Sequence, residues 1–97
     1  MATENAPIEA KDATLDVSVV ILTYNGEQHI DEILSSLTNQ RYEGTYEILV
    51  IDSGSTDSTL DIVATYPSVR LHQIPNSEFG HGKTRNLGAH LARGRIV

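Results

Sequence analysis

Five of the eight residues of VSVVILTY at Val17–Tyr24 are aliphatic, and five are β-branched. A run this apolar, with no alternation, suits a strand covered on both faces, as in a parallel sheet sandwiched by helices. It is expected to be the central strand. Asn25 and Gly26 break the run, and Ile30, Ile33, Leu34 and Leu37 then recur at the spacing of one helical face, with Glu27, Gln28, Asp31 and Glu32 polar in the opening turns. After a connector at Arg41 to Thr45, YEILVI at Tyr46–Ile51 is a second apolar strand. Strand, helix and strand of these lengths make a crossover between parallel neighbours, whose carboxyl ends then lie side by side.

The pattern repeats. The segment DSGSTDST from Asp52 to Thr59 is rich in helix-capping residues, and Leu60, Val63 and Ala64 give a short apolar stripe that ends before Pro67. Val69, Leu71 and Gln73 alternate with Arg70, His72 and Ile74 as a third, less buried strand. NSEFGHGKTRN carries two glycines and no period until Thr84, Leu87, Gly88 and Leu91 mark a third helix, which Gly94 is expected to close. Arg95, Ile96 and Val97 read as the opening of a fourth strand. The expected fold is therefore α/β, three layers around a mostly parallel sheet of three full strands and the start of a fourth, with three helices. Residues 1–16, with Pro7 and no period, read as a flexible leader, and 17–97 as part of one domain cut within a strand, which suggests a fragment.

Charge narrows the function. The chain has 13 acidic and 7 basic side chains, which argues against a nucleic-acid or anionic-membrane binder. It has no cysteine, which removes disulfides, thiolate catalysis and cysteine-ligated zinc. The amino terminus is polar and acidic rather than basic then apolar, so the expected location is cytoplasmic, including the inner face of the membrane. The four histidines, 29, 72, 81 and 90, have no paired metal spacing; His29 and His90 are expected on helix surfaces.

Within the acidic total, residues 81–97 contain Lys83, Arg85, Arg93 and Arg95 and no acid. Basic side chains at a glycine-rich loop leading into a helix suit phosphate groups, which makes Lys83 and Arg85 candidates and His81 a neighbour; the alternative is a solvated helix face. Two phosphate motifs fail here. Gly82-Lys83-Thr84 would end a P-loop only if position 77 were glycine, and it is serine; Gly80 and Gly82 lack the third glycine of a dinucleotide fingerprint at position 85, which is arginine. Thr23, Tyr24, Asn25 and Asp52 end the first two strands, where open parallel sheets bind ligands. The Asp52 carboxylate could accept from a ribose hydroxyl or a base N–H, or it could form an Asx turn; Asn25 could equally be turn chemistry, and Asp57 and Ser58 are read as helix caps.

Taken together, VSVVILTYNGEQHIDEILSSLTNQ, YEILVIDSGSTDSTLDIV and the later RNLGAHLARGRIV resemble the amino-terminal half of family 2 glycosyltransferases, over residues 17–97. The resemblance implies a Rossmann-like GT-A fold and a nucleotide-diphosphate sugar donor held by Thr23, Tyr24, Asn25 and Asp52; Ser53 next to Asp52, and His81, Lys83 and Arg85 of the basic segment, join them as donor-binding candidates. It also implies inverting transfer to a hydroxyl of a saccharide or lipid-linked acceptor. FGHGKTRNLGA is similar to the same region of bacterial rhamnosyltransferases. Many members have two adjacent aspartates after the second strand, where this chain has Asp52 and Ser53. The family's Asp-x-Asp motif, which brings a divalent metal, Mg or Mn, and its catalytic base follow the strand that begins at Arg95, so this chain is expected to lack both and to be inactive alone. An unpaired sheet edge left by truncation would favour self-association.

Two readings from other classes compete. A phosphorylated signalling receiver needs acids after the first strand, and Thr23-Tyr24-Asn25 has none. A non-catalytic nucleotide-binding or interaction module with the same fold has no such obstacle.

Overall fold

The computed structural model describes residues 15–40 and 44–96, apart from the side chains of His81, Arg95 and Ile96. The leader up to residue 14, Arg41 in the first connector and Val97 lie outside the described residues. In chain order the elements are β1 (Val17–Thr23), α1 (Ile30–Thr38), β2 (Tyr46–Asp52), α2 (Thr59–Ala64), β3 (Val69–Gln73), a 3-10 turn (Asn76–Glu78), α3 (His81–Leu91) and β4 (Arg95–Ile96). The strands form one parallel sheet in the order β3-β2-β1-β4. Asp16, at the edge of the leader, is already fixed: its N–H donates to the Thr45 carbonyl at 3.0 Å, and its carboxylate accepts from the Thr45 N–H at 3.1 Å.

Because side chains of a strand alternate between faces, β2 feeds two cores. Ile48 and Val50 meet Ile30 and Leu34 of α1 and Val63 of α2 on one face. Leu49 and Ile51 meet Leu91 of α3 on the other, with Val20, Leu22, Ile74 and Leu87 packed around them. These are the three layers expected from the sequence. Each fully buried Ile or Leu contributes about 1.5–3 kcal/mol of transfer free energy.

Four local expectations change. β1 is not the most enclosed strand: Val17 and Ser18 are buried but Val19–Thr23 are only partly so, whereas β2 is buried from Glu47 through Asp52. α3 begins at His81, so Gly82 and Lys83 lie in its first turn rather than in a loop. Gly80 precedes it in an extended conformation; its N–H donates to the Thr84 hydroxyl at 3.2 Å, and its carbonyl accepts from the Thr84 N–H at 2.7 Å. Gly82 and Lys83 in that turn are exposed, so it shows no apolar period. At its other end α3 is stopped by extended Ala92, not by Gly94. Gly94 is needed for space instead, because a Cβ there would stand 2.8 Å from the Val17 carbonyl carbon and 2.9 Å from its nitrogen. His90 also departs from expectation, being half-buried with an enclosed Nδ1 that has no hydrogen-bond partner among the described residues.

The amino edge of the sheet is tied by one buried carboxylate. Glu47 Oε2 accepts from the Ser18 hydroxyl at 2.5 Å and from the Arg93 N–H at 2.6 Å, and Oε1 pairs with Arg70 Nη1 at 2.7 Å. The Ser18 oxygen accepts in turn from the Gly94 N–H at 2.8 Å, and Arg70 also donates to the Leu91 carbonyl at 3.1 Å. One side chain thus joins β1, β2 and β3 to the turn between α3 and β4. Burial alone would raise its pKa, but the hydrogen bonds from Ser18, Arg70 and Arg93 and the Arg70 charge outweigh that and hold it below the ordinary 4.5.

A depressed folded value means that Glu47 contributes stability in full above its unfolded pKa, and that this contribution is lost as pH falls through the folded one. Urea midpoints measured between pH 7 and pH 3 should therefore fall on acidification below 4.5, and Glu47→Gln should flatten that fall. Glu47→Ala at pH 7 should cost about 2–4 kcal/mol, because it strands donors in a buried place. Gly94→Ala should cost about 1–3 kcal/mol through overpacking, read from the same denaturation curves.

Candidate functional site

Thr23 and Asp52 are register partners at the carboxyl ends of β1 and β2. Beyond them the ladder stops and two loops leave side by side, 24–29 toward α1 and 53–58 toward α2. Their N–H groups need acceptors, and side chains of the opposite loop supply them. Asn25 Oδ1 accepts from the N–H groups of Thr56 at 2.8 Å and Asp57 at 3.3 Å, while the Asn25 N–H donates to Ser55 Oγ at 2.8 Å. Gly26 N–H donates to Thr59 Oγ1 at 2.9 Å, Glu27 N–H to Asp57 Oδ2 at 3.2 Å, and Ser58 N–H to Glu27 Oε1 at 2.8 Å. Asn25 sits at φ 50, a left-handed conformation that asparagine tolerates better than most residues.

Asp52 is fully buried and turned back on its own loop. Its carboxylate accepts from the N–H groups of Gly54 at 3.1 Å and Ser55 at 2.8 Å, and from the Ser55 hydroxyl. This is the Asx-turn alternative that the sequence left open. Asp57 caps α2 through Thr59, its Oδ1 accepting the N–H at 2.9 Å and the hydroxyl at 2.5 Å, while Ser58 makes no side-chain cap. Desolvation would raise the Asp57 pKa, but the Thr59 hydroxyl, the Thr59 N–H and the Glu27 N–H hold it below its ordinary 3.8.

Between the strand ends and the 3-10 turn lies a hollow of about 220 Å³ lined by Leu22, Thr23, Tyr24, Ser53, Asn76 and Phe79. Ser53 anchors it, its N–H donating to the Thr23 carbonyl at 3.0 Å and its hydroxyl to the same oxygen at 3.4 Å. Of the candidates named from sequence, Thr23, Tyr24 and Ser53 line the hollow, and Asn25 and Asp52 build the loops beside it. Lys83 is exposed and paired with Glu78 at 3.3 Å. Arg85 is exposed and makes no hydrogen bond or ion pair among the described residues. His81 opens α3, but its side chain lies outside the described residues. Asn76 and Phe79 were missed from sequence; the available signal was a lone phenylalanine in an otherwise polar, glycine-rich stretch. No group of three or more His, Asp or Glu side chains that could hold a metal occurs among the described residues, and no helix there is long and apolar enough to cross a membrane.

The model of glycosyl transferase family 2 matches residues 18–97. The chain is 39% identical over 84 residues to the poly(ribitol-phosphate) beta-N-acetylglucosaminyltransferase TarS of Staphylococcus aureus, covering 82% of this chain and 15% of that protein. It is 38% identical over 89 residues to the poly(ribitol-phosphate) beta-glucosyltransferase of Bacillus spizizenii, covering 86% of this chain and 14% of that protein. The crystal structure of S. aureus TarS 1–349 superposes with a TM-score of 0.74 at 36% identity, over 86% of this chain and 27% of that one. The chain thus spans only about a seventh of the length of these two relatives.

The cross-loop bonds are testable by substitution. Asn25→Ala should cost about 1–2 kcal/mol and speed amide exchange at Thr56 and Asp57, whereas Asn25→Asp, which keeps an acceptor, should leave both amides protected. Unchanged exchange in Asn25→Ala would show that the side chain does not hold the second loop.

Proposed function

This chain belongs to glycosyl transferase family 2, and from that premise we propose that its carboxyl edge holds the nucleotide of a nucleotide-diphosphate sugar, the donor for glycosyl transfer to an acceptor hydroxyl. The observation that carries this is the hollow at the ends of β1 and β2, with the half-exposed ring of Tyr24 in its wall and a cross-bonded loop on its rim. A planar base fits against an aromatic face, and polar groups at the strand ends orient it. In this reading Thr23, Tyr24 and Ser53 meet the nucleoside, Asn25 and Asp52 shape the loops that frame it, and Arg85, with Lys83 and His81 near the start of α3, faces the diphosphate. Lys83 would exchange its exposed partner Glu78 for phosphate, an exchange that costs little because exposed ion pairs are weak.

Residues 17–97 are then the donor-binding part of a larger enzyme. Inverting transfer needs a carboxylate base for the acceptor hydroxyl and positive charge on the leaving diphosphate. Membership of the family supports a divalent metal, Mg or Mn, as the source of that positive charge in the enzyme, and no step is routed through it. The named relatives favour an N-acetylglucosaminyl or glucosyl donor and a polymeric acceptor; a rhamnosyl donor rests on FGHGKTRNLGA alone. Self-association through an open edge of the sheet is also proposed.

Calorimetric titration of the chain with UDP, dTDP and GDP, each with and without magnesium, tests the reading. One nucleotide should bind saturably, and Tyr24→Ala and Arg85→Ala should each weaken it about ten-fold. A folded chain that gives no binding heat with any of the three contradicts it.

A further inference from the structure

The donor reading accounts for the β1 and β2 side of the hollow and leaves its third side, the segment between β3 and α3, without a role. Phe79 lines the hollow from that side with 38% of its surface in solvent, and Tyr24 lines it from β1 with 51% exposed. Exposed aromatic rings are common, but two of them on one small hollow with polar residues between is the composition of a site for a flat heterocycle.

The backbone that carries Phe79 is fixed on both sides. Upstream, Asn76 Nδ2 donates to the Ser53 carbonyl at 3.2 Å, and the Phe79 N–H donates to the Asn76 carbonyl at 3.1 Å. Gly54, at φ 92, lets the β2 loop come so close that a Cβ there would lie 3.2 Å from the Asn76 nitrogen. Downstream, Gly80 is held by its two hydrogen bonds to Thr84, whose side chain is buried. The ring is therefore presented by a chain segment anchored to the loop that follows β2 and to the first turn of α3.

We propose that Phe79 is a base-contacting residue that forms the second aromatic wall of the nucleotide site, and that Asn76 is the positioning residue that sets it there by tying the 3-10 turn to Ser53. The proposal rests on the donor reading and adds to it a residue from outside the two strand ends. Stacking tolerates many bases, because each has a π-face, so Phe79 contributes affinity for the heterocycle and the choice among bases falls to the polar groups between the rings.

The chain contains no tryptophan, so Phe79→Trp places a single fluorophore at this wall. Its emission should change saturably with UDP, dTDP or GDP, whichever the wild type binds, and should not respond to inorganic pyrophosphate, which has no base. Phe79→Ala should weaken the same nucleotide about ten-fold while leaving the weaker pyrophosphate binding unchanged, and Phe79→Tyr should restore it. Asn76→Ala, measured by the same titration, should reproduce part of the Phe79→Ala loss, and circular dichroism should report an unchanged fold in each variant. If the wild type binds a nucleotide, Tyr24→Ala weakens it and the Phe79 variants do not, the second wall is wrong and the donor reading stands. If the folded wild type binds none of the three, both fall together.

Discussion

Parallel strands end abruptly. Their ladder supplies hydrogen-bond partners up to Thr23 and Asp52, and beyond those positions the backbone N–H groups of two adjacent loops must find acceptors elsewhere or pay the cost of an unmade bond. Here the acceptors are short polar side chains reaching across, Asn25 to the second loop, Ser55 and Asp57 back to the first, and Glu27 to the start of α2. Asp52 satisfies its own loop. The order of the strands thereby continues into the loops beside the hollow.

The two edges of the sheet solve different problems. At the amino edge a single carboxylate, Glu47, gathers donors from β1, β3 and the α3–β4 turn, a compact arrangement that is sensitive to acid. At the carboxyl edge the polar groups are spread over two loops and a 3-10 turn, none of them an ion pair in the loops themselves. The division suits a fold that stabilises itself at one edge and binds at the other, as open α/β sheets do.

How much of this was legible in the sequence depended on the range of the cause. The unbroken runs VSVVILTY and YEILVI revealed a parallel sheet because burial on both faces is a local signature. The start of α3 was hidden because Gly82 and Lys83 in its first turn are exposed and carry no period, although the Thr84 hydroxyl accepts the Gly80 N–H there. Asp52 and Asn25 were found as candidates by position, while their roles as loop formers depended on partners about 30 residues away or on a turn geometry that spacing alone left open. Phe79 and Asn76 reach the hollow through a contact between Ser53 and Asn76 that no local pattern announces.

A ligand held at the carboxyl edge, with its cross-bonded loops, must perturb that edge and leave the opposite one alone. Amide-resolved NMR of the wild-type chain titrated with the nucleotide that binds best tests it most directly. Saturable shifts should be confined to Tyr24, Ser53, Gly54, Asn76, Phe79 and the first turn of α3, with the amino edge unmoved. Shifts centred instead on the second hollow, about 190 Å³ lined by Thr38, Tyr46, Ile48 and Ser68, would contradict it.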